Sequence, residues 1–412
     1  MGNALAKAGV VGRFAASRSQ CLVKSVVVAF DPRSVALSRA SATKRMPAFD
    51  YLRAFVIFLV VLHHAVMAYC TGGHAARGGD YTNATAPVVD PAQWDGFNLM
   101  VMGNDSFFMP LMFLLAGLFV RPSLGRKGLG RYLADRALRL GVPLLIGIVT
   151  LVPLSYYVSY LQSGGTADFA AFWARMVTVG PWPSGPLWFV GALLVFDTAT
   201  ALILALDPVR LGVRRLLATL DRRSKVVWFA AFLALAALVF LPALTLLGPS
   251  LWVTAGPFGI QASRIGLYGF FFVAGVIVGA DRLAAFFKDR WQRWPLLAAL
   301  VTVLFFTLHG AALPAIGDGA VMLLFCVAMA FGLLSLAVHF GRRRSAVGDS
   351  LGANAYGIYL LHYPIVLWIQ YGLLRVPLAP VSKGLLVLLS GFGLSWLTAS
   401  LLRRVPGVAR IV

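Results

Sequence analysis

Residues 48–70 read AFDYLRAFVIFLVVLHHAVMAYC, an apolar run that carries Asp50 and Arg53 near its start and His63 and His64 deep within it. A run of about 20 predominantly apolar residues is long enough to cross the hydrocarbon core of a bilayer as a helix. Ionisable side chains are expensive there, so these polar positions are candidates for function. At about 100° per residue, Asp50, Arg53, Ile57, Val60 and His64 fall on one face, whereas His63 points away from its neighbour. The eleven steps from Arg53 to His64 correspond to about 16 Å along the axis. This geometry suits a long anionic ligand in one continuous passage, its charged end at Arg53 and its reactive end at His64.

Composition sets the class. Hydrophobic residues make up 59% of the 412 positions and charged residues 12%, against roughly 25% charged in soluble globular domains. The expectation is an all-α, polytopic membrane protein in a lipid bilayer. The formal net charge of +21 comes from 36 Lys and Arg against 15 acids, all of them Asp. Nucleic-acid binding does not follow, because the basic residues sit in short clusters between apolar runs, as membrane topology demands. Cys21, Cys70 and Cys326 are far apart, and their spacing suggests neither a disulfide framework nor a metal site.

Residues 1–45 are basic and poor in acids, and their one apolar stretch, 23–30, is too short to span. They read as an N-terminal tail, either disordered or an over-extended start with Met46 as initiator. Ten apolar runs follow, at about 48–70, 98–120, 138–161, 186–206, 226–247, 264–281, 295–312, 319–340, 355–374 and 384–402. Alternate connections are basic, through Arg121 to Arg131, Arg210 to Lys225, Arg282 to Arg293, and Arg342 to Arg344. The intervening connections are not, which predicts a bundle of about ten helices with both termini cytoplasmic. The membrane domain then occupies 46–405, with a short tail at 406–412.

Several constellations fit chemistry. A neutral imidazole at His64 has the basicity to take a proton from a hydroxyl at physiological pH, with His63 as a competitor for that role. In NAYGIYLLHYPIV (354–366), His362 lies at a depth similar to His64, which suggests a shared cavity. Asp105, after Asn104 in the second run, is placed to orient an imidazole. Arg136 and Arg139, about one helical turn apart at the entrance to the third run, form a candidate phosphate clamp, since Arg offers two parallel hydrogen bonds to such groups. Asp197, inside the fourth run, wants a basic partner. The sequon Asn83-Ala84-Thr85 matters only in a host that glycosylates secreted loops.

These segments, in this order, resemble the acyltransferase-3 family of integral membrane O-acyltransferases. The resemblance rests on Asp50, Leu52, Arg53 and His64, on FFMPLMFLLAG (107–117), on Arg136 and Arg139 before Pro143, on LWF (187–189), and on YLLHYP (359–364). FDYLRAF and YLLHYP are similar to the branch that contains the succinyltransferases of periplasmic glucans. The resemblance implies ten spans in a bacterial plasma (inner) membrane and cytoplasmic acyl-CoA as donor substrate, with no permanently bound cofactor and no metal. It further implies an acetyl or succinyl group passed to a hydroxyl of an extracytoplasmic carbohydrate or lipid-linked glycan. Arg53 and His64 match the family's Arg-to-His signature, and Arg136 and Arg139 its paired arginines. On this reading Arg53, Arg136 and Arg139 bind the donor, while His64, His362 and Asp105 are catalytic. The rival from another class is a proton-coupled transporter of an anionic substrate, with the buried histidines as a relay. The absence of a visible internal repeat and the one-sided basic clamp weigh against it.

Overall fold

A computed structural model describes residues 46–411, apart from 83, 207, 208, 210, 211, 214, 217–223 and 310–312. The expected tail at 1–45 and Asn83 of the sequon therefore lie outside the described residues.

The described chain is helical almost throughout. In order, α1 is Pro47–Met67, α2 Asp95–Gly117, α3 Val120–Lys127, α4 Leu129–Arg136, α5 Val142–Val149, α6 Leu151–Gln162, α7 Phe169–Thr178 and α8 Trp188–Leu204. There follow α9 Lys225–Leu247, a two-stranded antiparallel hairpin of β1 Trp252–Ala255 and β2 Phe258–Gln261, α10 Ile265–Val278, α11 Ala280–Lys288 and α12 Arg293–Leu308. The last three helices are α13 Ala315–Phe340, α14 Ala346–Leu373 and α15 Pro380–Leu402. Local sequence explains the helix starts. Pro47 opens α1 with Asp50 in its first turn, where a missing N–H costs nothing and a negative charge meets the positive end of the helix dipole. Ser345 caps α14 by accepting from the Gly348 N–H.

The described part of each of the ten apolar runs folds largely as a helix or a chain of short helices. By length and composition, seven helices suffice to cross a membrane, or eight if α10 and α11, bent by 86° at their junction, count as one broken span. The expected count of ten is higher for physical reasons. The 16-residue α12 is short, and α14 has length to spare but gives up apolarity to Asn354, His362 and Gln370.

The helices form an inner set and an outer ring. The apolar window of α2 is 72% buried within the protein, whereas those of α15 and α9 are 28% and 17% buried, leaving Leu235, Leu238, Leu389 and Leu397 for lipid. Two glycines let α2 and α10 touch backbone to backbone. A Cβ on Gly117 would lie 2.2 Å from the Phe272 carbonyl oxygen, and one on Gly275 2.2 Å from that of Leu114. Small residues serve helix pairing in membranes in this way.

Contacts between connections define two ends of the bundle. At the basic end, Arg121 Nη1 donates to the Ile277 carbonyl (2.9 Å), Lys225 Nζ to that of Asp289 (3.1 Å), and Tyr51 Oη to Asp349 Oδ1 (2.8 Å). At the opposite end, the segment 68–94 folds back over the helices. Gln162 makes both side-chain hydrogen bonds to the Val89 backbone, Tyr81 Oη donates to the Pro181 carbonyl, and Lys383 Nζ meets Asp90 Oδ2 at 2.6 Å. The last pair is fully enclosed, with side chains 2% and 0% exposed.

Candidate active site

α1 carries Arg53 near the basic end and His64 in its last turn. On the shared face, Ile57 and Val60 are buried, and α14 packs against this helix. His362, Val366 and Gln370 repeat every four residues along α14, so they form one stripe, and all three are buried. The stripe meets the end of α1. Gln370 Nε2 donates to the carbonyls of His64 (2.8 Å) and Ala65 (3.0 Å), which are among those left without partners at a helix C-terminus. One turn before Val366, His362 Nε2 lies 3.3 Å from His64 Nδ1. The two histidines expected to share a cavity are therefore in direct contact.

The hydrogen bonds around this pair fix its tautomers. His362 Nδ1 is 2.6 Å from the Tyr359 carbonyl and His64 Nδ1 is 2.8 Å from the Val60 carbonyl. A carbonyl oxygen only accepts, so each Nδ1 carries a hydrogen, and in a neutral imidazole the other nitrogen is then an acceptor. His362 Nε2 accepts from the forked N–H of His64, which leaves the Nε2 lone pair of His64 open. His362 is fully buried, while His64 retains accessible surface. His64 is thus the member of the pair with accessible surface, and His362 lies enclosed behind it. Tyr363 packs edge-on against His64 with ring centroids 5.0 Å apart, and Tyr359 donates its hydroxyl to the Pro186 carbonyl.

His63 takes a different direction, as the helical angle predicts. Its ring packs 5.3 Å from that of Phe108 on α2, and its Nδ1 is buried without a hydrogen-bond partner. Asp105 lies one turn before Phe108 and is expected to orient a histidine. Its carboxylate instead accepts from Arg264 Nη1 at 2.6 Å, and that same nitrogen bonds the Asp105 carbonyl at 2.9 Å. A guanidinium at the start of α10 offers a full charge to the carboxylate, which outcompetes a neutral imidazole N–H.

The cations of the proposed donor site are placed less simply. Arg53 Nη1 pairs with Asp50 Oδ1 at 3.2 Å and its guanidinium lies 5.5 Å from the Phe119 ring centre. Arg136 and Arg139 are drawn apart. A π-helical turn, Ala137–Gly141, starts directly after Arg136 and contains Arg139. Arg136 turns inward to Asp197 (3.4 Å), which also accepts from Tyr132 Oη at 2.7 Å. Arg139 pairs with Asp135 (3.5 Å) and remains 53% exposed. Asp197 thus finds its basic partner, and of the two arginines only Arg139 presents most of its surface outward. Among the described residues, no three His, Cys, Asp or Glu side chains cluster as a metal would need.

Arg264 and Gln370 are site residues that sequence reasoning passed over. Gln370 was legible in the eight-residue interval after His362, which repeats its helical face. Arg264 is a cation opening an apolar run at the end of the bundle where the preceding connection, 248–263, has no charge.

No curated protein matches the chain. A family model described as an acyltransferase domain matches residues 46–400, a stretch that holds both histidines and every arginine considered above. The chain belongs to the acyltransferase-3 family and is a membrane acyltransferase.

Proposed function

We propose that the protein moves an acetyl or succinyl group from cytoplasmic acyl-CoA to a hydroxyl of an extracytoplasmic carbohydrate or lipid-linked glycan, in a bacterial inner membrane. The observation that carries this reading is the contact of His64 Nδ1 with the enclosed His362 Nε2 at 3.3 Å, which leaves Nε2 as the acceptor nitrogen of His64. Acyl-CoA approaches from the basic end, which the positive-inside rule assigns to the cytoplasm. Arg53 and the exposed Arg139 meet its phosphates. Arg136 contributes positive potential already largely offset by Asp197. The pantetheine arm runs along the Arg53 face of α1 towards His64.

The acceptor oxygen attacks the thioester carbonyl as its proton passes to His64 Nε2. The tetrahedral intermediate then collapses with cleavage of the C–S bond. The departing sulfur takes the proton from the His64 imidazolium, giving free CoA and an O-acyl ester. His362 Nε2 accepts from His64 Nδ1 throughout, holding the ring and stabilising its charged form. Asp105 acts at one remove from this step, because Arg264 engages its carboxylate.

Purified protein in proteoliposomes, given radiolabelled acetyl-CoA or succinyl-CoA and envelope oligosaccharides, tests the reading. Label in ester linkage on the oligosaccharide is the expected result. Label that crosses the bilayer unattached would establish transport instead.

A further inference from the structure

A cavity of about 260 Å³ lies at the basic end of the bundle, lined by residues of α2, α9, α10, α11 and α13. It forms where the chain turns by 86° between α10 and α11. The turn is made at Gly279, whose φ of 74° is a left-handed conformation that glycine adopts without strain. α11 then packs Phe286 and Phe287 on Phe331 of α13, with ring centroids 6.0 and 5.6 Å apart.

Direct contacts join the walls. Phe286 meets Trp228 of α9 (5.8 Å), and Phe331 meets Phe232, one turn further along α9 (5.5 Å). Lys225, at the start of α9, holds its Nζ 5.5 Å from the Phe286 ring centre and donates to the Asp289 carbonyl at 3.1 Å. Arg282 is the second cation of the lining, and it is exposed. Among the described residues, no acidic side chain lines the cavity, and no residue of α1 or α14 does. The cavity is thus distinct from the histidine pair and from the Arg53 face.

The lining selects the occupant. Water needs roughly two to four polar partners in such a space, and the aromatic walls do not supply them. An aliphatic chain fits instead. The seven steps from Lys225 to Phe232 span about 10 Å along α9, so a chain can lie against Trp228 and Phe232 while an anionic head meets Lys225 and Arg282. α9 belongs to the outer ring, its apolar window only 17% buried, so the surrounding bilayer supplies a molecule of this kind. Basic pockets between membrane helices hold anionic lipid headgroups in the same way. A zwitterionic lipid such as phosphatidylcholine brings a trimethylammonium group that the two cations repel. We propose that the cavity binds one acyl chain of an anionic phospholipid, with Lys225 and Arg282 holding its phosphate. The site stands whether or not the protein transfers acyl groups.

The test uses the full chain in phosphatidylcholine nanodiscs doped with phosphatidylglycerol brominated in one acyl chain, or with phosphatidylcholine brominated likewise. Bromine quenches tryptophan fluorescence on contact, and subtracting the signal of Trp228→Phe isolates Trp228 from the other tryptophans. One cation near the membrane surface is worth about a fivefold gain in affinity for an anionic lipid. Wild type should therefore prefer phosphatidylglycerol by roughly 25-fold. Lys225→Gln and Arg282→Gln should each lower that preference about fivefold, and the double variant should abolish it with every other basic cluster left in place. A glutamine amide can still donate to the Asp289 carbonyl, which preserves the local fold. Ala274→Phe, which fills the cavity from α10, should prevent quenching by either brominated lipid without touching a charge. A wild-type preference below twofold, or one that survives in the double variant, overturns the site. Quenching undiminished by Ala274→Phe places the lipid elsewhere and overturns it too. So does displacement of the brominated lipid by coenzyme A, which would make the cavity a nucleotide pocket.

Discussion

Replacing Lys383 by Met is expected to release the segment 68–94 from the bundle. Lys383 Nζ meets Asp90 Oδ2 at 2.6 Å with both side chains almost wholly enclosed. Met keeps the length of the apolar stem and deletes only the charge. Asp90 then retains the Ala92 N–H on its other oxygen but loses its counter-charge. Breaking a buried ion pair from one side costs about 3–5 kcal/mol, and each 1.36 kcal/mol is a factor of ten. Opening of the segment should therefore become roughly 10²- to 5 × 10³-fold more frequent. Removing both charges, with Asp90→Leu added, restores most of the loss, since the unpaired ion goes too. Val88, 1% exposed and two residues from Asp90, is a suitable reporter as Val88→Cys, in a background with Cys21→Ser and Cys70→Ser. Its labelling by a membrane-impermeant maleimide reads opening, while the buried Cys326 reads global unfolding. The reasoning is refuted if Lys383→Met changes the labelling rate less than twofold, or if the double variant labels as fast as the single one.

Further outcomes follow from the site. His64→Ala should leave a folded protein with acyl transfer reduced about 10²- to 10⁴-fold, the usual worth of general-base assistance; near-normal transfer by purified protein contradicts the role. Gln370→Leu removes two hydrogen bonds to the end of α1 and should lower stability by about 1–3 kcal/mol, seen as a lower melting temperature in detergent. Arg136→Ala should destabilise the fold by leaving Asp197 buried without its ion partner. Adding Asp197→Ala should recover the melting temperature, and a KM for acyl-CoA that stays raised in this double variant would mark Arg136 as a donor-binding group. Gly117→Ala should impair folding by about 1–3 kcal/mol or more, since its methyl group meets backbone rather than a movable side chain; unchanged expression and melting would count against the α2–α10 contact.

Much of the fold was legible because apolar run length and helical angle are local properties. The face shared by Arg53, Ile57, Val60 and His64, and the divergent heading of His63, need only the angle per residue. The contact between His64 and His362 was within reach as a match of depth, but not as a distance, since it depends on α14 docking against α1. The partners of Asp105 and Arg136 were not legible, for a common reason. An ion takes the best counter-ion that the fold brings, and Arg264 and Asp197 lie 159 and 61 positions away in the sequence. The π-turn that contains Arg139 is likewise one that the sequence ALRLG does not announce.

The hydrogen-bond chain that begins at His64 runs through His362 and stops at the Tyr359 main-chain oxygen, an atom that cannot be protonated and pass charge along. In the proposed transfer, a proton taken up by His64 meets no onward acceptor along this chain of described residues and returns to the departing sulfur. Such wiring suits borrowing and returning within one turnover.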